Sequence, residues 1–169
     1  NPAEPAGKDE FCASLGCTHA DLPDGEGWGS EHLNDFNSHC GTHVDAPLHS
    51  GSLCEGKPAR TIDQIDLNEL YRPGMVLDLR PWAKGGEYIT PEMLDRAIAA
   101  VGRAVEPGDA VLLRTGQEAY TMDDPQFYNQ PGMSAESTLH LPNMGATILG
   151  TDAVGWDLPF RLMNAKWQE

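Results

Sequence analysis

Basic residues are scarce in this chain of 169 residues: 11 lysines and arginines stand against 26 aspartates and glutamates, a formal net charge of −15. So acidic a surface repels nucleic-acid phosphates and anionic membranes, and neither is an expected partner. The carboxylates are spread along the chain, which makes them a solvated surface and not an acidic tail. Long apolar runs are missing too. No stretch reaches the roughly eighteen residues a membrane-crossing helix needs, and the start as given carries no signal-peptide pattern, so a cytoplasmic location is expected. Cysteine is sparse: Cys12, Cys17, Cys40 and Cys54 form no C-x2-C pair, which excludes a disulfide scaffold and leaves reduced thiols as the expectation. Cys12 and Cys17 could pair or bind a metal. No glycine-rich dinucleotide fingerprint is present, Gly145 and Gly150 do not make a phosphate loop, and no internal repeat is found.

What remains is an ordinary globular balance, 40% hydrophobic and 22% charged, at a length suited to one domain over residues 1–169. Residues 1–30 are dense in proline and glycine and read mainly as loop, with residues 31–38 a strand leading out of it. Thr61-Ile62-Asp63-Gln64-Ile65-Asp66 suggests a short turn or helix start. Met75-Val76-Leu77-Asp78-Leu79, bounded by Pro73-Gly74 and Pro81, reads as a buried strand. Thr90-Pro91-Glu92 supplies an N-cap, a proline at the first helical position and an acidic first turn, and Met93, Leu94, Ala97, Ile98 and Val101 follow at helical spacing up to Gly102. A second buried strand is expected at residues 110–113, a long loop at 117–133, a short helix at 135–141 capped by Ser134 and stopped by Pro142, and a third strand at 146–149. Strand, helix, strand, helix, strand in alternation predicts an α/β domain.

The densest chemistry lies in Ser38-His39-Cys40-Gly41-Thr42-His43-Val44-Asp45-Ala46-Pro47-Leu48-His49, where three histidines and an aspartate recur as H-x3-H-x-D-x3-H. Imidazole and carboxylate are the side chains that hold a first-row divalent ion and leave a base beside it, so the segment reads as a metal site. Gly41 and Pro47 disfavour a helix, which leaves an extended or looped chain with His39, His43, Asp45 and His49 on one face. A straight strand rising ~3.3 Å per residue would spread His39 and Asp45 about 20 Å apart, so the chain must bend to bring them to one ion, and Gly41 is where it can.

The run from His39 to His49 resembles the H-x-G-T-H-x-D-x-P-x-H signature of the metal-dependent cyclase family, whose members include bacterial kynurenine formamidase, isatin hydrolase and related cyclic-amide or lactone hydrolases. Val111-Leu112-Leu113-Arg114-Thr115-Gly116, Pro131-Gly132-Met133-Ser134-Ala135-Glu136 and Leu149-Gly150-Thr151-Asp152-Ala153 are similar to the family's later blocks, in the same order. The resemblance implies a swivelling β/β/α domain with a barrel-like β core flanked by helices, assembled as a homodimer or homotetramer. It implies His39, His43 and Asp45 as metal ligands, His49 as catalytic acid/base or neighbour of a second metal, and Glu136 as a catalytic carboxylate at the same site. Formamidase-like members with two zinc ions carry a histidine about a dozen residues before the glutamate; Asp123-Asp124 stands in that neighbourhood here, so the resemblance implies a single divalent ion, Mn2+ as in isatin-hydrolase-like members or Zn2+, over a Zn2+ pair. The family's chains also run further at both ends, so this one is expected to lack N- and C-terminal segments.

The expected reaction is hydrolysis by metal-activated water, opening a cyclic amide or lactone or cleaving an aryl formamide. Two alternatives stay open: a dinuclear zinc arylformamidase of tryptophan breakdown, and a metal- or ligand-binding domain without turnover. Around the motif, Asp152 is expected either to orient a ligand histidine or to cap a turn. His140 lies one helical turn beyond Glu136, though Leu139 and Leu141 point to packing there. Trp28, Phe36, Trp82 and Trp156 are candidates for stacking an aromatic substrate, against the ordinary core role of tryptophan.

Overall fold

The computed structural model describes residues 5–22 and 37–168. The expected strand at residues 31–38, Trp28 and Phe36 lie wholly or mostly outside them. The chain divides into two compact units, Asn1–Ile62 and Asp63–Glu169.

In the first unit α1 spans Pro5–Leu15, where the sequence reads as loop. Its apolar residues trace no clear stripe, which is why periodicity misses it; a proline at the first position and Gly16 in the left-handed region at φ +68° mark its ends instead. A 3-10 turn follows at His19–Asp21, closed by Thr18 and Asp21, whose carboxylate accepts from the Thr18 N–H at 2.9 Å. Further on, α2 is a single helical turn at Pro47–Ser50. Pro47 opens this turn rather than preventing it, because the first helical position has no intrahelical use for an N–H. Strands β1, Leu53–Cys54, and β2, Lys57–Pro58, pair antiparallel across Glu55 and Gly56, both at positive φ. That is the backbone a tight hairpin of matching twist demands.

A 3-10 turn at Ile62–Gln64 starts on the last residue of the first unit, and the second unit continues with α3 at Leu67–Leu70, which Asp66 caps by accepting from the Asn68 N–H at 2.8 Å. Its centre is an open parallel sheet of β3, Gly74–Asp78, β5, Ala110–Arg114, and β7, Ile148–Thr151, with β5 in the middle. Parallel neighbours need a crossover, and the two helices the sequence announces supply it. The first, α4, is Pro91–Val101: the Thr90 hydroxyl accepts from the Met93 N–H, Gly102 ends it at φ +82°, and Leu94, Ala97 and Ile98 are its buried face. The second, α5, is Ala135–Asn143, with the Ser134 hydroxyl accepting from the Ser137 N–H at 3.1 Å. Pro142 falls in its last turn without stopping it. The strand after it starts two residues later than the pattern suggests, because the N–H of Ala146 is spent on the Leu141 carbonyl, closing the helix.

Met75, Leu77, Val111 and Leu113 face a core shared with Leu79, Ile89, Leu94, Met133 and Leu141, each fully buried leucine contributing about 1.5–3 kcal/mol. Val76 and Leu112 point the other way and are exposed, so these strands are buried on one face, not two. The stretch read as one long loop holds 3-10 turns at Gln117–Ala119 and Pro125–Tyr128, then β6, Gly132–Met133, which pairs parallel with β4, Tyr88–Ile89. Gly132 is obligatory there: a Cβ on it would stand 2.1 Å from the backbone nitrogen of Leu158. The last helix, α6, is Phe160–Gln168.

The architecture is therefore mixed α/β around a parallel sheet. Among the described residues no barrel closes, because β3 and β7 are edges with no strand to join them. No helix among the described residues is long and apolar enough to cross a membrane.

Candidate metal centre

Asn37 begins the turn that shapes the site: its side-chain oxygen accepts from the His39 N–H at 2.9 Å, and its carbonyl accepts from the Cys40 N–H at 3.0 Å. Gly41 then takes φ +68°, a conformation side-chain-bearing residues rarely adopt, and the chain folds back at the position where a bend was expected. His43 comes round to face His39. Ala46 and Pro47 start the helical turn of α2, the His49 N–H donates to the Ala46 carbonyl at 2.9 Å, and Leu48 is tied to the carbonyl of Arg60 at 3.1 Å.

Three atoms converge in consequence. Asp45 Oδ1 lies 2.8 Å from His39 Nδ1 and 3.4 Å from His43 Nε2, and the two nitrogens are 3.2 Å apart. Ligand atoms about 2.0–2.1 Å from a tetrahedral ion are about 3.3 Å from one another, so these separations fit the donors of one divalent cation. Among the described residues, His39, His43 and Asp45 form the cluster that could hold an ion. The His43 ring is held in one orientation: its Nδ1–H donates to the Gly41 carbonyl at 2.8 Å, which leaves Nε2 toward Asp45. Stability does not account for the convergence. Side chains 32% to 53% exposed gain little from ion pairing, ~0–1 kcal/mol.

His49 stands beside the three. Its Nε2 is 4.0 Å from Asp45 Oδ2, and its ring centroid is 4.3 Å from that of His39. A cleft of about 460 Å³ opens over the group, with Val44, Leu48 and Ile62 as its apolar lining.

Glu136 is exposed, the second residue of α5, in the second unit. His140 hydrogen-bonds Asp95 at 2.8 Å, while Leu141, not the histidine, goes into the core. Asp152 takes the turn-capping role. Its carboxylate accepts from the Thr115 N–H at 2.8 Å, the Thr115 hydroxyl at 2.6 Å and the Gly116 N–H at 2.8 Å. Burial works to raise its pKa, but the hydrogen bonds with Glu118, Thr115 and Gly116 together hold it below the usual carboxylate value. Asp124 is likewise engaged, capping the 3-10 turn at the Gln126 N–H, 2.8 Å away. Trp82 and Trp156 pack against the core, Trp156 donating to the Thr138 hydroxyl at 2.9 Å. The sequence reading missed the Gly41 carbonyl and the Asn37 side chain as the groups that aim the histidines; an asparagine two residues before the first histidine was the available signal.

A family model described as a putative cyclase matches residues 9–158. Among solved structures, an isatin hydrolase bound to the product analogue thioisatinate is 21% identical, with a TM-score of 0.56 over 68% of this chain and 47% of that one. Isatin hydrolase A from Labrenzia aggregata, bound to benzyl benzoate, is 24% identical with a TM-score of 0.55, again over 68% and 47%. The chain thus spans about half the length of the solved relatives it matches, and at these identities the likeness is one of fold. None of the curated proteins matches it.

Proposed function

We propose, because this chain belongs to the putative cyclase family, that it is a metal-dependent hydrolase acting on a small-molecule cyclic amide, lactone or aryl formamide. The observation that carries the reading is the meeting of His39, His43 and Asp45 at ion-ligand separations with His49 alongside. His39, His43 and Asp45 would hold a divalent ion, Mn2+ or Zn2+, which would lower the pKa of a bound water below its bulk value and polarise an acyl carbonyl. Two imidazoles and one carboxylate leave positions free for solvent and substrate. His49, outside the three, would accept a proton from the attacking water on its Nε2 and return it to the departing amine or alkoxide. Val44, Leu48 and Ile62 hold the apolar body of the substrate in the cleft. We assign Glu136 a part in the same proton transfers, on the resemblance of its sequence block alone.

With Asp124 engaged as a cap, the second-ion position lacks its expected histidine, and a single ion is the reading preferred over a zinc pair. The swivelling β/β/α arrangement with a barrel-like core, one domain over residues 1–169, a homodimer or homotetramer and a cytoplasmic location belong to the same proposal.

The test is chelation followed by titration with Mn2+ and, separately, Zn2+, with metal counted per chain and hydrolysis followed on isatin and on N-formylkynurenine. One ion per chain with ring opening of the cyclic amide supports the reading. Two zinc ions with cleavage of the formamide would replace it by the dinuclear arylformamidase. Stoichiometric metal without turnover of a broad panel would replace it by a binding domain.

A further inference from the structure

Two cysteines at the end of α1 stand outside the site described above, and their placement follows from how the helix stops. Gly16 adopts φ +68° directly after the last helical residue, and the Cys17 N–H reaches back across it to the Cys12 carbonyl at 3.1 Å. This is the Schellman closure, in which the residue just beyond the left-handed glycine lies against the residue three before the helix end, side chain to side chain. Both positions are cysteine here, and both thiols are free. A backbone hydrogen bond between the same two residues holds their α-carbons near the ~4.4–6.8 Å that a disulfide spans. The thiols are free, Cys12 buried at 6% exposure and Cys17 partly open to solvent.

We propose that Cys12 and Cys17 form a dithiol modification site that closes to an intramolecular disulfide by exchange with a small disulfide of the oxidised-glutathione class. Cys17, the accessible thiol, attacks as thiolate; a mixed disulfide forms and one glutathione thiol leaves. The Cys12 sulfur, on the residue whose carbonyl the Cys17 N–H meets, attacks the sulfur of Cys17, and the second glutathione leaves as the internal S–S bond forms. Two protein thiols are oxidised, one small disulfide is reduced, and the two protein protons end on the departing thiols. Burial first, then Cys17 and the negative charges of Asp21 and Asp9, push the Cys12 thiol up, which leaves Cys17 as the thiol that attacks first. The closed form fastens the last turn of α1 to the residue that follows it.

The whole chain is equilibrated in glutathione buffers of rising oxidised share, quenched in acid, alkylated and cut after glutamate. Cleavage after Glu10 and Glu26 releases residues 11–26, which carry Cys12 and Cys17 and no other cysteine. The expected result is conversion of that peptide from a doubly alkylated form to one two hydrogens lighter than the dithiol, at oxidised shares at least tenfold below those that modify Cys40 or Cys54. In Cys12→Ser, a glutathione adduct accumulates on Cys17, since nothing resolves it. A peptide that stays doubly alkylated at every ratio, or a stable glutathione adduct on the native peptide, overturns the proposal. Should Cys12→Ser not fold, the native series decides by itself.

Discussion

The Nδ1–H of His43 points at the carbonyl oxygen of Gly41, 2.8 Å away, and a carbonyl only accepts. The ring therefore presents its Nε2 lone pair to Asp45 before any ion arrives, and the glycine at φ +68° is what turns that carbonyl inward. Gly41→Ala strains the turn by about 1–2 kcal/mol and mis-aims the ring. We expect metal affinity to fall about 10- to 100-fold, measured by calorimetric titration of Mn2+ or Zn2+. Unchanged affinity in this variant would remove the glycine from the account.

Asp45 touches both His39 and His43, so Asp45→Asn removes the anionic donor of the cluster while keeping the shape. Metal content after dialysis is expected to drop from stoichiometric to a small fraction, with the thermal midpoint of the metal-free protein nearly unmoved, because exposed pairs contribute ~0–1 kcal/mol. Full metal retention would sink the three-ligand assignment.

His49 lies at the edge of the group, 4.0 Å from Asp45. His49→Ala is expected to keep its ion and lose about 10²- to 10⁴-fold in turnover. Turnover within a factor of two of the parent protein rules out proton transfer by His49, and lost metal would instead make it a ligand.

Asp152 joins β5 to β7 through three hydrogen bonds at Thr115 and Gly116. Asp152→Ala leaves two N–H groups and a hydroxyl without their acceptor, a loss of about 1–3 kcal/mol for a buried donor. The check is a urea midpoint alongside metal content. The midpoint should fall and the metal should stay.

Asp109 accepts from Arg103 at 2.6 Å and from the Glu106 N–H at 2.9 Å, and those bonds, Arg103 first, hold its carboxyl below the ordinary value. A carboxylate depressed in the folded state adds stability that is complete above the unfolded value of about 3.9 and disappears as pH falls through the folded value beneath it. Asp109→Asn should be less stable than the parent at pH 7 and approach it as the solution is acidified below about 4. A constant gap across that range would refute the linkage.

Local signals in the chain account for much of this structure. Thr90-Pro91 and Gly102 delimit α4 because a cap, a proline at the first position and a left-handed glycine act through their own backbone neighbours. Likewise the H-x3-H-x-D-x3-H spacing announces its chemistry, since residue types carry ligand capacity wherever the chain takes them. Helix α1 has no apolar stripe to announce it, and Pro47, which disfavours a helix continuing through the motif, instead starts one. Those depend on where a helix begins, which single residues leave open.

The type and order of the imidazoles and carboxylate in the His39 to His49 run, and the alternation of strands with helices from residue 75 onward, were decided by sequence alone, because side-chain chemistry and hydrophobic period are properties of the residues themselves. Tertiary structure alone decided that Asp152 caps Thr115 across 37 residues of chain, that Val76 and Leu112 stay exposed, and that Gly132 must be glycine against Leu158. Each is a meeting of segments remote in sequence, and whether a carboxylate becomes a cap or a ligand is settled by which donors folding brings to it.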